Sequence, residues 1–218
     1  MCTRYKREHP RGFTLLETLI AISIFVIIAG TLISQNRIFQ SNVETGNLAY
    51  EIALAIREAQ VLGLGVRQFG GVFTTAYGIR LEEPNTNSAS FILFLDRTSV
   101  SNPASNVRYD GPTIDPTVET FELRGGNQIV EVCGTRFNGS SHCSTLSGGP
   151  LRCLTIVFQR PDPAAKIGTR IGGGGPPCGN TGGSFQFDGL RASVRIRSLG
   201  DVDYTVEVTD TGQISVRQ

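Results

Sequence analysis

Glu17 is the only ionisable side chain in residues 13–33, FTLLETLIAISIFVIIAGTLI. An ionised carboxylate surrounded by hydrocarbon is costly unless a cation compensates it, so Glu17 is a candidate for pairing with a positive group supplied from elsewhere. The competing reading is a carboxylate that snorkels to the membrane surface or stays protonated there. Cysteine is the second reactive type, at Cys2, Cys133, Cys143, Cys153 and Cys178. Four of these follow the apolar run, an even number. In an oxidising compartment four cysteines read as two disulfides drawn from 3 pairings. The expected pairs are Cys133 with Cys143, closing a hairpin-sized loop, and Cys153 with Cys178, pinning a glycine-rich excursion. A zinc site is not expected, because there is no Cys-x-x-Cys pair and the adjacent His142-Cys143 cannot easily direct both side chains at one ion.

Other candidates give weaker chemistry. Residues 171–184, IGGGGPPCGNTGGS, are rich in glycine but lack the Lys-Ser/Thr that completes a phosphate-cradling loop, so a surface loop is expected. The oxygens of residues 96–110, DRTSVSNPASNVRYD, could hold calcium. They lack the dense alternating acidic spacing of calcium loops, so a solvated turn is expected and no cofactor is assigned. Beyond the apolar run the single histidine is His142, with no Gly-x-Ser-x-Gly elbow and no His-Glu-x-x-His helix. No catalytic residues are assigned, and the chain is not expected to be an enzyme. Arg191, Arg195 and Arg197 alternate and so share one face of a strand. They are candidates for contact with nucleic acid, against the simpler reading of an exposed strand face paired with Asp201, Asp203 or Glu207.

These groups must be positioned by a small number of elements. At 1.5 Å per residue, residues 13–33 span about 30 Å as a helix, the thickness of a bilayer core. Before them stand Arg4, Lys6, Arg7 and Arg11 against Glu8, a local charge of +3 in a chain of +1, leaving about −2 for the rest by subtraction. The basic end should therefore stay in the cytoplasm and the remainder should cross. A cleaved secretory signal would have a shorter apolar run and a small-x-small site. Ser34-Gln35-Asn36-Arg37 offers no such site.

After Ile33 the pattern becomes amphipathic, with Ile38, Leu48, Ile52, Ile56 and Ala59 at helical spacing, so the helix is expected to continue to Leu62 and to stop at Gly63 and Gly65. A coiled coil is not expected from so short a stripe. The periodicity then becomes that of strands, at 72–81, 91–96, 118–123, 128–133, 153–158, 192–197, 204–208 and 213–216. With 26 glycines, 10 prolines and no βαβ pattern, the remainder reads as an antiparallel β-rich domain. The fold class is thus α+β, with a long N-terminal helix, membrane-spanning in its first half, packed on a β-rich head.

Arg11-Gly12-Phe13-Thr14-Leu15-Leu16-Glu17 resembles the cleavage motif of type IV prepilins and type II secretion pseudopilins. That resemblance implies a leader, 1–12, cut off by a membrane-embedded prepilin peptidase between Gly12 and Phe13, with Phe13 then N-methylated. It also implies that Glu17 is an assembly residue facing the ammonium of a neighbouring subunit's Phe13. The segments implied are the leader 1–12, a helix 13–62 and a head 63–218. Residues 50–60, Tyr77-Gly78-Ile79, residues 91–96 and residues 211–216 look like positions of the pseudopilin H and FimT-like minor pilin group.

By this resemblance the chain is a minor subunit of a type IV pilus or a type II secretion pseudopilus, made as a single-pass protein of the cytoplasmic membrane. Its head would be periplasmic or extracellular. Its partners would be the peptidase, other pilin or pseudopilin subunits and an assembly-platform membrane protein. The alternative is a DNA-binding or adhesive tip subunit of a competence system.

Overall fold

The computed structural model describes residues 12–65, 76–82, 84, 90–97, 108–123, 127–172, 184–198 and 201–218. Among the described residues, one helix, α1 (Leu15–Leu64), precedes ten strands: β1 (Ala76–Glu82), β2 (Ser90–Asp96), β3 (Thr117–Glu122), β4 (Gln128–Arg136), β5 (Ser141–Thr145), β6 (Leu151–Gln159), β7 (Asp162–Ile171), β8 (Ser184–Arg197), β9 (Asp203–Thr209) and β10 (Ile214–Arg217). The chain divides into two units, residues 1–40 and 41–218, and the α+β head is the second.

Within the head, α1 buries the face carrying Thr45, Leu48, Ala49, Ile52, Ala55, Ile56 and Ala59. Their spacing is that of one helical face repeated over successive turns, which is why this half of α1 settles on a sheet. Facing it are Ile79 and Leu81 of β1, Leu93 of β2, Leu154, Ile156 and Phe158 of β6, Val194 and Ile196 of β8, and Val206 and Val208 of β9. The helix ends where Gly65 donates its N–H to the Val61 carbonyl at 2.9 Å. Expected to stop at Leu62, it runs to Leu64. Gly63 does more than stop it: a Cβ there would overlap the Phe158 carbonyl oxygen and lie 3.0 Å from Phe158 Cβ. The glycine lets the last turn touch the backbone of β6.

The strand pairs are all antiparallel. The order is β10-β9-β8-β7-β6-β1-β2-β3, with β4 on the free side of β8 and β5 beyond it. Strand β8 is used twice. Residues 184–189 pair with β7, and residues 191–197 lie between β4 and β9. The change of partner falls near Gly189, where a Cβ would sit 2.6 Å from two atoms of Ile167.

Strand β6 is buried on both faces, with every residue from Cys153 to Phe158 buried. Its second face packs Val157 with Ala76, Phe94 and Tyr109, and the Arg80 guanidinium lies 4.7 Å from the centre of the Tyr109 ring. The loop under this layer is held by Asp115, whose carboxylate accepts the N–H of Arg97 at 3.0 Å and of Asp110 at 2.6 Å. Burial raises the Asp115 carboxyl above its usual range, and those two N–H groups oppose that.

Two strands were not expected from sequence. Strand β5, SHCST, has no apolar alternation and is held by its hairpin to β4; β7 opens with Asp162-Pro163 and is held between β6 and β8. Strand β8 also starts at Ser184 rather than at residue 192. Residues 72–75 of the first expected strand lie outside the described residues.

Candidate processing and assembly site

Gly12, Phe13 and Thr14 precede α1 in non-helical conformation, and Phe13 is 81% exposed. The Thr14 hydroxyl oxygen accepts the N–H of Glu17 at 3.2 Å, and the Thr14 carbonyl accepts the N–H of Thr18 at 3.2 Å. Thr14 is therefore the N-cap, and Thr-x-x-Glu is the spacing of a capping box. Glu17 stands in the first turn, where the positive end of the helix dipole favours a carboxylate. The helix thus supplies part of the compensation that the sequence required from outside. Thr14 was missed as a functional residue, although a Thr three residues before a Glu at the edge of an apolar run was the signal available.

Replacing Thr14 with valine should remove this cap at a cost of about 1 kcal/mol, while serine should keep it. Faster hydrogen exchange of the Glu17 amide in T14V than in T14S, measured in micelles, is the expected result.

Within the span, Leu16, Phe25, Ile27 and Leu32 are among many exposed apolar side chains. Thr18, Ser23 and Thr31 donate their hydroxyls to the Leu15, Leu19 and Ile28 carbonyls at 2.9, 2.8 and 2.8 Å. Their polarity is absorbed inside the helix, so this surface is suited to lipid or to other helices. An 18-residue stretch of α1 has a mean hydropathy of 2.4, and the helix is long and apolar enough for one crossing of a membrane.

In the head, Cys133 and Cys143 are directly opposite in the β4–β5 hairpin and are joined by a disulfide, with Cα atoms 4.1 Å apart. Cys153 is buried and also disulfide-bonded, while Cys178 lies outside the described residues. Among the described residues, one group has the spacing to hold a metal, Glu131 with Cys133 and Cys143. The disulfide leaves no thiolate there to bind one. His142 is half-buried opposite Gly134 in the same hairpin. The glycine-rich residues 173–183, the central part of the calcium candidate, 98–107, and residues 1–11 of the leader also lie outside the described residues.

Arg191, Arg195 and Arg197 share the outer face of β8, as their alternation required. Each meets a carboxylate: Arg191 Nε lies 3.3 Å from Glu207, Arg195 lies 3.0 Å from Glu131 and 3.2 Å from Asp203, and Arg197 reaches Asp203 with two nitrogens at 2.7 and 3.0 Å. The cross-strand register that puts Arg197 opposite Asp203 and Arg195 opposite Glu131 creates the ladder. Asp203 and Glu207 belong to the expected partners. Glu131 does not, because β4 was not placed beside β8 by any local pattern.

The forked hydrogen bond from Arg197 holds the Asp203 carboxyl below its usual range and raises the Arg197 guanidinium. A carboxyl depressed on folding adds stability that is fully present above its unfolded value of about 4 and is lost as the pH falls through the folded value. Because the pair is half-exposed and screened by solvent, D203N should lower stability at pH 7 only slightly. Denaturant titrations at pH 7 and at pH 3 should show a smaller acid loss for D203N than for the unaltered chain.

Compared with known proteins, residues 9–33 match the family model for the prokaryotic N-terminal methylation motif. No curated protein and no solved structure matches the chain. The match ends with the apolar run at Ile33 and contains Gly12, Phe13, Thr14 and Glu17. It marks this segment as a prepilin-type signal on a helix suited to single-pass membrane anchoring.

Proposed function

We propose, with the prepilin-type signal as premise, that the chain is a minor subunit of a type IV pilus or type II secretion pseudopilus, of the pseudopilin H or FimT-like group. The leader is cut between Gly12 and Phe13 by a prepilin peptidase, Phe13 is N-methylated, and an assembly-platform membrane protein delivers the subunit to a filament. The head then stands on the periplasmic or extracellular side. The protein acts by assembly with other subunits and not by turnover.

The observation that carries this reading is the junction: Gly12 and Phe13 are non-helical and exposed directly before a capped helix whose first turn holds Glu17. A peptidase must reach an unwound backbone, and a subunit must leave the membrane without leaving a carboxylate uncompensated. In the filament, Glu17 faces the ammonium of a neighbour's Phe13, which fixes axial register while apolar helix surfaces supply cohesion. The alternative of a DNA-binding tip subunit needs free cationic groups. Arg191, Arg195 and Arg197 each lie against a carboxylate, which favours the assembly role.

The test is intact-mass and N-terminal peptide measurement of membrane-fraction protein, with and without a co-expressed prepilin peptidase. A chain beginning at methylated Phe13 only with the peptidase supports the reading. An N-terminus at Met1 under both conditions, or one beyond Ile33, would remove it.

A further inference from the structure

In the head, α1 is apolar on two sides. Opposite its core face, Val43, Tyr50, Leu54 and Val61 are 46, 60, 69 and 63% exposed. They fall at alternating a and d positions of a heptad whose other seam positions are Asn47 and Arg57. Along one flank, Glu44, Glu51 and Glu58 occupy successive e positions. A groove of about 560 Å³ runs between Glu44 and Glu51 and the exposed edge strand β3, which adds Glu119 and Glu122.

Among the described residues none of these five carboxylates has an ion-pair partner. Glu82, Asp110, Glu131, Asp203 and Glu207 each have an arginine. Lone acids without an ion pair, Asp162, Asp201 and Asp210, also occur elsewhere on the head, but the five here are gathered beside one exposed apolar seam, three of them in a row along one helix flank. Isolated exposed apolar residues are ordinary, but a seam in heptad register with a one-sign flank is the layout of a helix-docking surface.

We infer that this face docks a helix of a different subunit, one whose apolar seam is flanked by lysine or arginine. The inference rests on the filament reading and adds the chemistry of the partner. A second copy fits poorly. Paired antiparallel, two such helices would set their glutamate rows against each other. Paired parallel, each e row would need the partner's g row, and those positions, Gly46, Ala53 and Gln60, are turned toward the core. Asn47 at a seam position would fix the register of the foreign helix.

The probes are two labelled synthetic helical peptides with the same leucine seam, one flanked by lysine and one by glutamate. Each is titrated by fluorescence anisotropy against the full chain in neutral detergent micelles. At low salt the lysine peptide should bind about tenfold more tightly. That preference should collapse near 1 M salt, where the Debye length is about 3 Å. The triple variant E44K/E51K/E58K should prefer the glutamate peptide. Equal binding, binding of neither peptide, an unchanged preference in the variant, or a dimer of the chain alone in sedimentation equilibrium would each overturn the inference. The N-terminal mass is read on the same preparation. A processed chain that does not discriminate fails this inference alone, and an unprocessed chain that does discriminate fails the filament reading alone.

Discussion

Replacing Gly12 with valine should leave the leader on every molecule while the head folds as before. A Cβ at Gly12 meets nothing within 4 Å, and the residue is not in the left-handed region, so the fold itself does not ask for glycine there. If glycine is required, the requirement comes from whatever reads the junction. Mass measurement should therefore show an all-or-none loss of the form beginning at Phe13, with the near-UV circular dichroism of the head unchanged. Cleavage of G12V at the ordinary rate would mean that the peptidase does not recognise this position, and would weaken the prepilin reading at its root.

Replacing Gly63 with alanine should have the reverse outcome, normal processing on a weakened head. The added methyl would collide with the Phe158 carbonyl oxygen and crowd Phe158 Cβ at 3.0 Å. Backbone cannot rotate away as a side chain can, so the last turn of α1 must lift off β6 and loosen Ala59 and Leu62 with it. A loss of about 3 kcal/mol is expected, which for a domain of this size lowers the unfolding midpoint by about 10 °C. Thermal unfolding of G63A beside the unaltered chain, both in micelles, checks it. An unchanged midpoint would show that the helix does not approach β6 so closely.

The legible parts of this protein are those in which one local pattern decides. The apolar run, its lone Glu17 and the basic stretch before it can be read in order along the chain. So can the buried stripe from Leu48 to Ala59, because a helix repeats its inward positions at fixed spacing. Strands with apolar alternation, such as residues 192–197, were equally readable. Strands β5 and β7 were not: β5 carries no apolar alternation and is held by its hairpin to β4, and β7, which opens on Asp162-Pro163, is held between β6 and β8.

The same limit governs the site. That Arg191, Arg195 and Arg197 share a face follows from alternation. That Glu131 is one of their partners follows only from the pairing of β4 with β8. The second role of Gly63 was hidden for a related reason: helix termination and close backbone approach both select glycine, and only the packing tells them apart.

Strand β8 has one further consequence. Its first half completes the ladder to β7 and its second half separates β4 from β9, so removing it would orphan backbone donors and acceptors on three neighbours at once. The head has no natural line of division, and two co-expressed fragments separated within β8 would each lack a strand that the other cannot lend intact. A break in the exposed turn between β4 and β5 is a different matter. There the register is already fixed on both sides, and the Cys133–Cys143 bond would keep the cut ends covalently tethered. A circularly permuted or split version of this protein should therefore be opened at that hairpin tip.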